Sequence, residues 1–121
     1  MKAFFIITAA CVLMLTGITL NSIYVRDFSE SAHEQLSHID FDSENRIEKL
    51  SDLTAFTQKH LKRIEFAVPH TKSSLIKDHL DLLNEYAKSG ERSEFQKTRI
   101  LLMNLLKEIG ELEKTALFNI L

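Results

Sequence analysis

Cysteine occurs once in this chain, at Cys11, proline once, at Pro69, glycine three times and tryptophan not at all. One cysteine leaves no internal disulfide and no Cys-x-x-Cys pair, so stability must come from packing. With so few glycines and a single proline, the many tight turns of a β-sandwich or barrel cannot be made. The same scarcity removes Gly-rich phosphate loops and nucleophile-elbow motifs. Charge of one sign is also missing: the formal net charge is −2, which gives no broad attraction to nucleic acid. Hydrophobic residues make up 45% and charged residues 26% of the 121 residues, ordinary globular usage that argues against wholesale disorder. What remains is an all-α chain.

One region has no charge at all. From Ala3 to Val25 the chain is dominated by Phe4, Phe5, Ile6, Ile7, Val12, Leu13, Met14, Leu15, Ile18, Leu20 and Ile23. As a helix this run is roughly 34 Å long, enough for a hydrocarbon core of about 30 Å. A secretory signal has a shorter apolar stretch that ends in a small-x-small cleavage site. No Ala-x-Ala follows Leu15, and after Ala9-Ala10-Cys11, which resembles a lipoprotein processing site, the apolar run continues to Leu20. The expected organisation is therefore an uncleaved anchor over residues 1–25 and a helical domain over 26–121, with secretion after cleavage as the alternative. Lys2 precedes the span and Arg26 follows it, so flanking charge is nearly balanced. The short stub before the span predicts a cytoplasmic N-terminus and a helical domain outside the cell membrane.

Beyond the anchor, period and punctuation predict a small antiparallel bundle of three to four helices. Phe28, Ala32, Leu36 and Ile39 carry the first helix past the membrane surface. Asp40-Phe41-Asp42-Ser43 breaks the pattern and offers N-caps to a second helix, with Glu44 in its first turn. That helix carries Ile47, Leu50, Leu53, Phe56, Leu61, Ile64 and Val68 and ends at Pro69. A third helix, capped by Thr71 or Ser73, presents Leu75, Ile76, Leu80, Leu82, Leu83 and Tyr86 and stops at Gly90. Ser93 and Gln96 form a capping box for the fourth. Its expected core row is Phe95, Leu102, Leu105, Ile109, Leu112 and Ala116, flanked by Ile100, Leu101, Leu106 and Leu117. On this reading an aspartate at Leu105 unfolds the domain.

The reactive side chains form no catalytic or metal-binding pattern. His33-Glu34 opens like a zinc-protease motif, but His38 lies five positions on, about 140° around a helix. Asp40, Asp42 and Glu44 imitate the start of a calcium loop, yet Asn45 stands where glycine is needed and Ser51 where the bidentate Glu is needed. His79 lies among apolar positions and reads as structural; His70 follows Pro69 in a turn. Glu108, Glu111 and Glu113 are spaced as a solvated helix surface. No enzyme, cofactor or metal site is expected. Two surface features remain: the basic group Lys59, Lys62 and Arg63, suited to an anionic surface, and the apolar end Leu117, Phe118, Ile120 and Leu121, suited to docking.

The run Leu82-Leu83-Asn84-Glu85-Tyr86, the Gly90-Glu91 turn and the ending Glu113-Lys114-Thr115-Ala116-Leu117-Phe118-Asn119-Ile120-Leu121 resemble a family of small bacterial proteins of unknown function. Those proteins have an N-terminal membrane segment and a helical remainder. The resemblance covers Phe56 to Leu121, with His70 at a matching position before the helix. The tryptophan of that family's preceding helix is absent, and Phe118 stands in place of a polar residue. The resemblance implies a membrane-associated envelope protein and brings no activity, cofactor or catalytic residue with it. The expected role is an interaction or accessory subunit, held by lipid through residues 3–25 and docking on a membrane protein or on itself. An extracytoplasmic ligand-sensing module or a structural coiled-coil protein is the alternative.

Overall fold

Four helices account for the computed structural model, which describes residues 2–64 and 68–120, with side chains through Leu112. They are α1 (Lys2–Ser37), α2 (Arg46–Ile64), α3 (His70–Ser89) and α4 (Arg92–Ile120). Helix α1 packs on α2 and α4, and α3 packs on the same two, with no diagonal helix pair in contact among the described residues. This is a ring of four. Cross-helix contacts fix the directions: Tyr24 meets His60 while Phe28 meets Phe56, and Arg99 reaches Leu36 while Ser29 reaches Leu106. Numbers rise on one helix as they fall on its neighbour, so the bundle is antiparallel, as its short connections require.

The most consequential feature is that α1 serves two environments without a break. Its first half is bare: Phe4 is 70% exposed, Leu13 72% and Leu20 62%. Its second half is core, with Val25, Phe28, Ala32 and Leu36 all buried. Packing starts at Ser22, inside the segment 1–25 expected to be anchor. The uncovered stretch from residue 3 to residue 21 spans about 28 Å at ~1.5 Å per residue, still close to a hydrocarbon core. Its threonines suit an apolar solvent. Thr8, Thr16 and Thr19 each donate their hydroxyl to the carbonyl four residues back, at 2.9, 2.8 and 2.7 Å. No hydroxyl on that stretch is left to seek water.

The core is aliphatic with two aromatic anchors. Leu50, Leu53, Ile64, Ile76, Leu83, Leu102, Leu106, Ile109 and Phe95 are almost fully buried with the α1 row. Small polar residues share this core: Ser22, Ser29, Thr57, Ser73 and Thr98 are buried as well. At the α1–α4 crossing the Ser29 hydroxyl donates to the Leu106 carbonyl. A Cβ placed on Gly110 would lie 2.9 Å from that same hydroxyl oxygen, so the crossing depends on glycine there.

Several helix ends differ from the sequence expectation. Helix α2 starts at Arg46, so Glu44 precedes it and Glu48 is the acid in its first turn. Asp42 pairs with Arg92 and Asp40 accepts from Gln96, which ties the α1–α2 loop to the start of α4. Gln96 is thereby taken out of the expected capping box, and Ser93 lies inside the helix that begins at Arg92. Helix α3 begins at His70 with Pro69 as its cap and no side-chain cap bond; Ser73 is inside, donating to the His70 carbonyl at 3.0 Å. Neither Thr71 nor Ser73 is the cap. Gly90 behaves as expected, with φ 77° and its N–H on the Tyr86 carbonyl.

The face of α4 also turns. Leu106, not Leu105, is buried beside Leu102 and Ile109, while Leu105 is half-buried at the margin. Leu112, expected in the core row, is 51% exposed. On the other helices Ile47, Leu75 and Leu82 are exposed too. Two arginines complete the end of the bundle farthest from the bare half of α1. Arg99 donates to the Leu36 and Ser37 carbonyls at the end of α1, and Arg46 to those of Phe41 and Ala87. These are the carbonyls a helix terminus or loop leaves without an internal partner. The Phe41 ring lies 4.6 Å from the Arg46 guanidinium carbon, 5.1 Å from that of Arg92 and 5.5 Å from the Phe95 ring.

Candidate functional site

The end of the bundle from which the apolar half of α1 emerges has the most concentrated chemistry. Tyr24 stands there, four residues past Leu20, about 6 Å along the helix axis. Its hydroxyl meets Nδ1 of His60. Its ring carries the Arg63 guanidinium, whose carbon is 4.2 Å from the ring centre. Beneath them Phe28 and Phe56 stack at 5.8 Å with an interplanar angle of 6°, and the His60 ring is 4.6 Å from Phe56. Asp27 and Ser31 line the same α1–α2 groove.

Helix geometry explains this grouping. His60 and Phe56 are one turn apart on α2, as Tyr24 and Phe28 are on α1, so antiparallel packing matches them pairwise. Arg63 lies one turn beyond Lys59 with Lys62 beside them, and the three fall within about 100° of arc. All three are exposed. From Leu53 to Ile64 they are the charged residues of α2, and no acid is among them. The structure therefore keeps the sequence-identified basic group together and adds Tyr24 and His60 beside it. The signal for Tyr24 was present, because a tyrosine closing an apolar run is the mark of a membrane–water boundary. His60, 36 residues away in sequence, had no such signal.

The α1–α4 groove is lined by Arg26, Ser29, Glu30, His33, Lys107, Gly110 and Glu111. Its lining carries charge of both signs. His33 is half-buried there, while His38 is exposed. Nδ1 of His79, half-buried on α3, has no partner among the described residues. No three His, Cys, Asp or Glu side chains converge among the described residues. The apolar end Leu117, Phe118, Ile120 and Leu121 lies outside the residues whose side chains are described. No protein-family model, curated protein or solved structure matches this chain.

Of the described helices, α1 alone is long and apolar enough to cross a membrane, and the apolar window is wholly uncovered by the rest of the protein. The fold and this surface define a class, the all-helical bundle with one long apolar N-terminal helix.

Proposed function

We propose that the chain is a single-pass membrane protein whose bundle stands directly on the bilayer and serves as an interaction or accessory subunit for a membrane or envelope protein. The observation that carries this reading is the unbroken α1, apolar and bare below Asn21 and core from Ser22 onward. With no linker between the two halves, the bundle is held at one height and tilt relative to the span. A partner in the same membrane then meets the same helix faces every time, which lowers the ordering cost of docking. Uncovered apolar side chains on those faces support the reading: Leu75 on α3 is 44% exposed, and Ile100 and Leu101 on α4 are 54% and 56% exposed.

The reading is not enzymatic. It includes an uncleaved anchor, a cytoplasmic N-terminus with the bundle outside, and the likeness of residues 56–121 to the small bacterial membrane-segment proteins. Crosslinking the tagged full-length chain in its native membranes, followed by identification of what co-purifies, tests it. One membrane protein recovered in stoichiometric amount is the expected result. Recovery of self-crosslinked species alone, or of soluble protein lacking the first residues, overturns the accessory-subunit reading in favour of a self-assembling or secreted bundle.

A further inference from the structure

We propose that Lys59, Lys62 and Arg63 form a collar that binds the headgroups of anionic phospholipids around the point where α1 enters the bilayer. This rests on the reading of α1 as a membrane span and adds the lipid class that the protein selects. Three observations converge on it. The first is height. Leu20 is the last strongly exposed apolar residue, and Tyr24 follows about 6 Å up the helix axis. Arg63 stacks on that tyrosine, so its guanidinium sits at headgroup depth whenever residues 3–21 are in hydrocarbon. The tyrosine–arginine pair is also the kind of amphipathic anchor that occupies this zone.

The second is the distribution of charge along residues 40–64, the loop into α2 and α2 itself. Residues 40–52, at the far end, hold Asp40, Asp42, Glu44, Glu48 and Asp52 against Arg46 and Lys49, a net of −3. Residues 53–64, running toward the apolar end of α1, hold Lys59, Lys62 and Arg63 and no acid, a net of +3. A negatively charged surface beneath the bundle is attracted by one end and repelled by the other, which favours the upright pose.

The third is that the collar's charges are not spent inside the protein. Lys72 pairs with Glu108, Asp42 with Arg92, and Glu94 with Lys97, but Lys59, Lys62 and Arg63 form no ion pair among the described residues. The acids near this end are Asp27 in the α1–α2 groove, Glu30 and Glu111 in the α1–α4 groove with Arg26 and Lys107, Glu108 paired with Lys72, and, in sequence, Glu65. Asp27 tempers the collar without matching it. Headgroup phosphates suit the geometry, because Arg63, fixed by its tyrosine, presents its remaining N–H groups to oxygen acceptors while the two lysines supply mobile charge.

The test uses the full-length chain with Leu20→Trp as the single tryptophan, reconstituted in equimolar phosphatidylglycerol and phosphatidylcholine, with one lipid or the other brominated. Brominated phosphatidylglycerol is expected to quench the tryptophan as though enriched on the order of threefold around it. Raising salt to about 1 M, where the screening length is near 3 Å, brings the two lipids to parity. So does the Lys59→Gln, Lys62→Gln, Arg63→Gln variant, with total quenching unchanged. Equal quenching by both lipids at low salt overturns the collar while leaving the span intact. Quenching by neither lipid overturns the span and the collar together. The salt arm requires no collar substitution, so a folding defect in the triple variant does not shield the proposal.

Discussion

Replacing Leu106 with aspartate unfolds the bundle, and the same replacement at Leu105 leaves it folded but weakened. Leu106 is 2% exposed, and its carbonyl takes the Ser29 hydroxyl at the most extensive helix pair in the protein. A carboxylate there must be desolvated or protonated against its intrinsic preference, a loss of about 4 kcal/mol or more. That is comparable to the whole stability of a domain this size. Leu105 lies against the edge of the core, where an aspartate can turn to water, and about 1–2 kcal/mol is expected. Urea titrations of the two full-length variants in mild detergent, followed by circular dichroism, give the ranking. The reverse order would place the wrong face of α4 against α1.

The second large effect is at Gly110. Gly110→Leu is expected to cost about 2–3 kcal/mol, because a branched side chain has to push α4 away from Ser29. Gly110→Ala should be nearly neutral, for reasons that offset. Its methyl displaces the Ser29 hydroxyl from the Leu106 carbonyl, a loss of about 1 kcal/mol, while alanine improves helix propensity by about the same amount. Adding Ser29→Gly to Gly110→Leu should recover part of the loss, since the atoms that a Cβ at Gly110 meets are those of Ser29. The same urea titrations measure this coupling. Strictly additive effects would mean that the two residues do not meet.

These two predictions also mark where the sequence stops being legible. Part of the punctuation was readable: Gly90 closes α3 in the left-handed conformation, and the Phe28, Ala32, Leu36, Ile39 row is buried throughout. Local chemistry suffices for each. The phase of α4 is different. Leu101, Leu102, Leu105 and Leu106 are all leucine, so any of several faces satisfies the periodicity. The choice is made by the Ser29–Gly110 approach, between residues far apart in sequence. The missed caps have the same origin. Asp40, Asp42 and Gln96 look like local caps, but their partners lie across the loop-to-α4 junction. At the candidate site, Lys59, Lys62 and Arg63 were visible as a charge group, whereas the seating of Arg63 on Tyr24, and of Tyr24 against His60, depends on which α1 residue α2 faces. The apolar end from Leu117 to Leu121 belongs to the sequence reading alone.

The central claim is that the bare half of α1 lies in a bilayer with the bundle attached. Cys11, the sole cysteine, sits near the middle of that stretch and is exposed on the protein's own surface. A thiol held in hydrocarbon is out of reach of a charged reagent that stays in water. A charged, water-soluble maleimide applied to native membranes opened to expose both faces is therefore expected to leave Cys11 unlabelled, and to label it fully once the protein is denatured in detergent. Labelling in the opened membranes, or a mature chain that no longer contains Cys11, would contradict the account.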